Sequence, residues 1–165
     1  MKKIMLLALS MCIGLSLFSQ SIGVGVSSFS NTNTRSSSNT GIHLSVGYKS
    51  IYIDYSSNWS TGNGKELNYS SSYSYPTNKK EASVVNLGYR IKLNKYVSLI
   101  PTIGYGWTRD IYEDPILFQT YFYDKPKNFT NFGGILEIKF AKNFGVYWGL
   151  GSFEQYKAGL SYTIK

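Results

Sequence analysis

The sequence predicts an all-β fold, an eight-stranded antiparallel up-and-down barrel that spans a membrane. Three observations lead to it. The composition is rich in residues typical of strands and of tight packing, with 15 Tyr, 9 Phe, 3 Trp and 16 Gly among 165 residues. Apolar residues recur with period two in eight segments, and the connections between these segments alternate between tight and long. No window after residue 20 has the period of a long amphipathic helix.

The eight segments have the lengths of membrane strands, about 9–11 residues, with the first two slightly short. They are residues 22–29, 41–48, 51–59, 82–93, 97–107, 131–140, 144–152 and 156–165. The chain thus stops within a strand. Because an unpaired strand edge invites aggregation, we expect the last strand to pair with the first and close the barrel.

The connections fall into two classes that order the strands in space. Tight turns are expected at 49–50, 94–96 and 141–143, whereas long polar stretches occupy 30–40, 60–81 and 108–130, with a short connection at 153–155. Tight turns therefore gather at one end of the barrel, called here the tight-turn end, and long loops at the other, the loop end. Outer-membrane barrels show this asymmetry, with their short turns in the periplasm.

The first 20 residues predict a secretory signal peptide, with two lysines, an apolar run and then small and polar residues. Residues 21–165 would then form the barrel domain. A membrane anchor is the weaker interpretation, since the run lies at the extreme N-terminus, and a lipoprotein site at Cys12 is disfavoured by the bulky Met11. Because Cys12 is the only cysteine, its removal would exclude disulfides, zinc–cysteine sites and cysteine nucleophiles.

The charge does not indicate a nucleic-acid partner. The formal net charge is +8, and it is +6 once Lys2 and Lys3 leave with the signal peptide. Basic residues are scattered, with no run longer than Lys79–Lys80 after residue 20. A nucleic-acid site would concentrate them on one surface, so we expect solvated loops instead.

The two faces of the predicted strands differ in charge and in size. One parity carries the large apolar residues and no charge, and the opposite parity carries many glycines and six charged residues. The charged residues are Asp54, Arg90, Lys92, Glu137, Lys139 and Lys157. An eight-stranded barrel is too narrow inside for the large set, so this set should face lipid. The alternative is a lipocalin-like soluble barrel with the apolar set inside.

With this pattern, the chain resembles the small outer-membrane barrels of the OmpX type and the OmpA membrane domain. In such proteins the last strand carries a pattern that the barrel assembly machinery reads. Here Lys157, Gly159, Tyr162 and Ile164 fit it, although Lys165 follows where an aromatic residue is usual. The resemblance implies a location in the outer membrane, contact with its lipids and lipopolysaccharide, and a monomer. The "LFSQ" before residue 21 is similar to signal peptides of Bacteroidetes.

Two interior features are candidates for chemistry. Counting from the strand ends places Asp54, Arg90 and Glu137 at similar depth, with Lys139 on the same face, which predicts a salt-bridge network that plugs the lumen. The only histidine, His43, also faces inward, where we expect it to be a hydrogen-bonded interior residue rather than a catalytic one. No metal-ligand spacing and no cofactor motif is present.

Aromatic residues on the lipid-facing parity predict two belts at the membrane interfaces. The residues of the outer belt are Trp59, Tyr105 and Trp107, and those of the inner belt are Tyr48, Tyr89, Phe140 and Tyr162.

Pro101 lies between the belts and has no N–H for the ladder, so we expect a bulge or a local break there.

The long loops carry the predicted function. Residues 60–81 are rich in Tyr, Ser, Asn and Gly, a composition shared with antibody binding loops, and residues 108–130 contain apolar stretches that extend the strands above the membrane. We therefore expect a non-enzymatic outer-membrane barrel with a structural role or a surface-interaction role through these two loops. A lipid A-modifying enzyme and a small pore are the alternatives.

Overall fold

The computed structural model describes residues 21–29, 39–58, 65–66, 75–113, 121–123 and 125–164, and these form strands and turns. Eight long strands, numbered first to eighth, run Ser21–Phe29, Asn39–Tyr48, Ile51–Asn58, Tyr75–Tyr89, Val97–Glu113, Lys127–Lys139, Phe144–Gly151 and Glu154–Thr163. Three short strands, Lys65–Glu66, Ile91–Lys92 and Tyr121–Tyr123, complete the sheet. Within these ranges no helix is long and apolar enough to cross a membrane.

The sheet closes on itself. Each long strand pairs antiparallel with its neighbour in the chain. The first strand also pairs with the eighth, so that Val24 lies opposite Leu160 and Ser21 lies opposite Thr163. The prediction of an eight-stranded antiparallel barrel is therefore confirmed, and the last strand has no free edge.

The two faces of the barrel are arranged as the alternation predicts. Large apolar side chains of one parity point outward from every long strand whose side chains are described, among them Val24, Leu44, Ile53, Leu87, Ile103, Leu136, Trp148 and Leu160. The opposite parity points into a lumen filled mainly by polar and charged side chains, among them His43, Asp54, Asn86, Arg90, Glu137 and Lys157. This arrangement inverts that of a soluble protein, since the apolar surface is on the outside.

Glycine makes room for the few bulky residues of the lumen. A Cβ at Gly25 would lie 2.6 Å from the Tyr147 hydroxyl oxygen, and a Cβ at Gly47 would lie 3.1 Å from both terminal nitrogens of Arg90. The first approach is closer than a methyl group allows, and the second is tighter than most methyl contacts. The tyrosine and the arginine therefore fit in the lumen because the wall beside them has no side chains there.

Four strand segments in the described part of the chain extend the sheet at the loop end. The third strand ends at Asn58, opposite Ala82, yet the fourth and fifth strands continue their pairing to Tyr75 and Glu113. The short strand Tyr121–Tyr123 pairs antiparallel with residues 111–113, and Lys65–Glu66 adds to it in parallel. Residues 108–113 and 121–123 of the segment 108–130 therefore extend the strands, as expected, while residues 114–120 and 124 lie outside the described residues. We call the part formed by residues 65–66, 75–81, 108–113 and 121–123 the protruding sheet.

The irregularity expected at Pro101 is a local break in the pairing with the fourth strand and not a bulge. The fifth strand is continuous, and its register with the sixth is constant from Val97 to Thr108, with Pro101 opposite Gly134. The interruption lies in the fourth strand, which breaks at Arg90 and resumes at Ile91 in the same register. A proline that lacks its N–H is thus accommodated by a gap in the partner strand and not by an extra residue.

Candidate functional site

The lumen is filled in layers between the tight-turn end and the loop end. Nearest the tight turns lies an ion pair, followed by an apolar cluster of Tyr52, Ile100, Ile135 and Tyr147. A polar cluster comes next. Above it lies a second apolar cluster of Phe29, Ala82 and Val84, against which Phe129 and Phe153 pack. The polar centre is thus flanked by apolar side chains on both sides.

The ion pair at the tight-turn end joins Arg90 and Glu137. Arg90 Nε lies 3.1 Å from Glu137 Oε2, and both side chains are buried. Arg90 Nη2 also donates to Ser21 Oγ over 3.0 Å. This contact ties the fourth and sixth strands to the start of the first strand.

The central polar cluster is organised around Lys157. Its Nζ donates to Asp54 Oδ2 and to Glu154 Oε2, both at 2.9 Å, and its side chain is 1% exposed. Asn86 Nδ2 donates to Asp54 Oδ1 over 2.6 Å, and Asn131 Nδ2 donates to Asn86 Oδ1 over 2.9 Å. A single ammonium group therefore lies between two buried carboxylates, and their remaining oxygens accept from the Asn86 amide at Asp54 and from the Ser56 hydroxyl at Glu154.

The predicted network of Asp54, Arg90, Glu137 and Lys139 is therefore divided. Arg90 and Glu137 lie together, but Asp54 belongs to the central cluster, and Lys139 lies half-buried near the tight turns, outside both. Counting from strand ends gives the wrong relative depth for Asp54 and Arg90. The register places Asp54 opposite Asn86, whereas the Arg90 N–H donates to the Ser50 carbonyl, close to the tight turn. Asp54 thus lies four residues farther from the tight-turn end than Arg90.

Sequence reasoning misses Glu154, because this residue lies in the predicted connection 153–155, where no alternation marks a residue as inward-facing. In the structure it is the first residue of the eighth strand and is fully buried. Lys157, three residues later on the charged parity, was the only sequence signal that a buried acid was needed nearby.

His43 is a hydrogen-bonded interior residue. Its Nδ1 lies 2.8 Å from Ser56 Oγ and 3.8 Å from Glu154 Oε1, and its Nε2 lies 3.3 Å from the Tyr52 hydroxyl. Ser56 Oγ in turn donates to Glu154. The serine proton is directed at the carboxylate rather than at the imidazole, and the ring is fully buried, so the arrangement is not that of an activated nucleophile.

Replacing His43 with Ala should leave the lipid A of the host cell unchanged. It should also lower the free energy of unfolding by about 1–3 kcal/mol, because Ser56 and Tyr52 lose a buried partner. Mass spectrometry of lipid A and urea unfolding of the refolded barrel measure the two effects. An altered lipid A profile with unchanged stability would give His43 a chemical role.

Aromatic side chains surround the barrel near both ends. Those of the predicted inner belt, Tyr48, Tyr89, Phe140 and Tyr162, are exposed near the tight turns. Toward the loop end Tyr105 is exposed and Trp107 half-buried, and Trp59 lies outside the described residues. Sequence reasoning missed Tyr96 and Phe144 near the tight turns and Phe132 and Tyr156 nearer the loops, all exposed.

The residues of the predicted assembly signal have different environments. Lys157 is buried in the central cluster, and Gly159 lies directly opposite Tyr147 on the neighbouring strand, with the tyrosine side chain over it. Tyr162 is exposed, with its ring centroid 5.0 Å from that of Phe144, and Ile164 is half-buried. Lys157 and Gly159 therefore have the environments of lumen residues, and the assembly signal stays a prediction.

The base of the protruding sheet carries charged residues of both signs. Lys127 Nζ lies 3.0 Å from Asp110 Oδ2, with side chains 68% and 27% exposed. Arg109 is half-buried and Lys125 exposed. Loops 60–81 and 108–130 are described only in part. In the described ranges, no group of three or more His, Cys, Asp or Glu residues could hold a metal ion.

No protein-family model matches the chain, and no curated protein matches its sequence. Among solved structures, the chain is similar to Ail, the attachment invasion locus protein of Yersinia pestis. That match has a TM-score of 0.53 at 18% identity, and it covers 86% of this chain and 90% of that chain. The chain therefore has the fold of a small outer-membrane barrel.

Two further structures match less well. Ail in complex with the heparin analogue sucrose octasulfate has a TM-score of 0.46 at 14% identity, covering 86% of this chain and 90% of that chain. Neisserial surface protein A has a TM-score of 0.42 at 12% identity, covering 87% of this chain and 93% of that chain.

Proposed function

We propose that the protein is an integral outer-membrane barrel that makes contacts with extracellular partners through its protruding sheet. One combined observation supports this proposal. The exterior of the barrel is apolar, and the fourth and fifth strands continue beyond this apolar band at the loop end. The exterior supports insertion in lipid, and the protruding sheet supports exposure of an ordered surface outside the membrane.

The apolar exterior has the properties of a lipid-facing wall. On the fifth strand, Leu99, Ile103 and Tyr105 are each about half exposed and follow one another on the outward parity. At about 3.3 Å per residue and a strand tilt of about 40°, the stretch from Leu99 to Trp107 spans roughly 20 Å of membrane thickness. This is close to the apolar band of about 25 Å in outer-membrane barrels.

The protruding sheet supports a role in contacts. Strand pairing above the level of Asn58 and Ala82 gives the fourth and fifth strands an ordered backbone outside the lipid band. From Tyr75 to Glu81, the fourth strand lies beyond the paired length of the third strand. An extended strand presented in this way is suited to hydrogen bonding with a partner chain.

Neither alternative receives support from the lumen. A pore needs a continuous polar path, whereas apolar clusters lie above and below the central cluster in the described residues. A lipid-modifying enzyme needs its reactive groups on the lipid-exposed wall or the loops, whereas His43 is buried in the lumen. We therefore expect no conductance steps in planar bilayers.

Shortening the protruding sheet tests the proposed role in contacts. We would replace residues 110–126 with a four-residue turn and display the variant on cells that lack the protein. Attachment to an epithelial monolayer should fall at least threefold relative to the full chain. Heat-modifiable migration should be retained, because Ala82 to Tyr89 keep their partners. Equal attachment by the folded truncated protein would contradict the proposal.

Cysteine labelling tests the orientation on which the proposal depends. Lys127→Cys at the loop end should react with a membrane-impermeant maleimide on intact cells, since the lysine is 68% exposed. Lys95→Cys in a tight turn is the matched control and should react only after the outer membrane is permeabilised. The reverse pattern would show that the tight turns face outward.

A further inference from the structure

Two lysines near the tight-turn end lie on the inner face of the barrel. Lys92 pairs with Ser98, and Lys139 pairs with Gly145. Both partners are buried in the lumen wall, and residues directly opposite each other on neighbouring strands share one face of the sheet. Lys92 is exposed and Lys139 half-buried. The two lysines therefore lie where the lumen opens at the tight-turn end.

The charge of these lysines is not balanced within the described part of the chain. Neither ammonium group has an ion-pair partner there. Glu137 is the described carboxylate nearest this opening, and it is buried and paired with Arg90 over 3.1 Å. The other described acids belong to the central cluster or to the loop end. The opening therefore has an excess of positive charge.

A buried hydroxyl group lies beside this charge. Ser161 is 6% exposed, and among the described residues its Oγ has no hydrogen-bond partner. Gly145 lies between Ser161 and Lys139 in the ladder. A Cβ at Gly145 would lie 2.8 Å from Ser161 Oγ, so the hydroxyl group lies over the glycine, toward the strand of Lys139. Because a buried donor without an acceptor is costly, this position indicates a ligand.

One small anion can contact both side chains. Lys139 and Ser161 are two strands apart, at most about 10 Å at the usual strand spacing, and no side chain projects from Gly145 between them. The flexible four-carbon stem of lysine lets its ammonium group approach the serine hydroxyl. A phosphate group offers several acceptor oxygens and a charge of about −1.5 to −2, which matches the two lysines and the hydroxyl donor.

We propose that the lumen opening at the tight-turn end binds a small oxyanion of the phosphate type. Lys139 and Ser161 donate to it, and Lys92 adds positive charge. The ligand comes from the aqueous phase and not from lipid, because the closed sheet separates these inward-facing groups from the exterior. This inference goes beyond the proposed contacts at the loop end, since it concerns the opposite end of the barrel.

Calorimetric titration with inorganic phosphate tests the inference. The full-length barrel is refolded in maltoside micelles and titrated at neutral pH and low ionic strength, where we expect saturable binding at a single site. Lys139→Gln should weaken binding at least tenfold, because it removes a charge-assisted hydrogen bond. Ser161→Ala should weaken it about fivefold, the usual effect of losing one neutral donor.

Lys142→Gln is the matched control, because it removes the same charge from an exposed tight turn at the same end. Its affinity for phosphate should change less than twofold. Equal losses in Lys142→Gln and Lys139→Gln would show a diffuse effect of charge and overturn the inference, as would the absence of saturable binding to the unmodified barrel.

Urea unfolding separates a ligand contact from a structural role of Ser161. Because its hydroxyl has no partner among the described residues, Ser161→Ala should unfold like the unmodified barrel without phosphate. With phosphate, only the unmodified barrel should gain the stability that a bound ligand confers. Equal stabilisation of both proteins would contradict the inference. Heat-modifiable migration reports folding of each variant, so a folded barrel that does not bind phosphate refutes this inference and leaves the proposed function standing.

Discussion

Replacing Lys157 with Met should lower the free energy of unfolding by about 3–5 kcal/mol. The ammonium group is the cation between Asp54 and Glu154, at 2.9 Å from an oxygen of each. Methionine has similar volume and no charge, so two carboxylates would remain buried beside each other. Desolvation and like-charge repulsion then act together, because the lumen offers little water to either group.

Urea unfolding of the refolded barrel in lipid vesicles measures this effect. Lys127→Met is the matched control, because it removes an ion pair of similar length, 3.0 Å, from a side chain that is 68% exposed. Exposed pairs contribute about 0–1 kcal/mol, so the control should remain close to the unmodified protein. Equal losses in the two variants would show that the lumen is open to water.

A compensating variant separates lost charge balance from lost packing. Changing Lys157 to Met together with Asp54 to Asn and Glu154 to Gln removes all three charges and keeps the side-chain volumes. Because neutral groups cost far less to bury than unpaired carboxylates, most of the lost stability should return. If the triple variant is as unstable as Lys157→Met, packing and not charge is the dominant contribution.

The second large effect is expected for Gly159→Val, which should lower the free energy of unfolding by about 3 kcal/mol and reduce the folding yield. A Cβ at this position would overlap the carbonyl oxygen of Val24 and the hydroxyl of Tyr147. The carbonyl belongs to the ladder that closes the barrel. The strain therefore falls on backbone that cannot move without breaking the closure.

Gly134→Val is the control for this substitution. Gly134 faces the lipid side, and a Cβ there would have no heavy atom within 4 Å. The same change of side chain should therefore be close to neutral in lipid vesicles. A comparable loss of stability at both positions would show that β-sheet backbone effects, rather than crowding in the lumen, dominate the cost.

The sequence predicts which side chains of each strand face outward, because this depends only on the local alternation of apolar and polar residues. Val24, Leu87 and Trp148 lie on the uncharged parity, and a narrow barrel leaves such residues no place inside. The closing pair of strands could be predicted because the unpaired edges of the first and last strands of a sheet require partners. These predictions needed no knowledge of register.

The partners inside the lumen could not be predicted in the same way. Counting from strand ends places Asp54 with Arg90, whereas the ladder pairs it with Asn86 and its carboxylate accepts from Lys157. Strand tilt displaces neighbours in depth, and a break such as that at Arg90 changes where the count begins. Sequence reasoning underestimates the length of the strands in the protruding sheet. Outside the lipid band, apolar and polar residues no longer need to alternate along a strand.

Electrophoresis of the outer-membrane fraction tests the central claim most directly. A closed barrel resists detergent until it is heated, so the unboiled protein should migrate at a different apparent mass from the boiled protein, and it should be found in the outer-membrane fraction. Recovery in the soluble periplasmic fraction, with identical migration before and after boiling, would contradict the account of this chain as a membrane-spanning barrel.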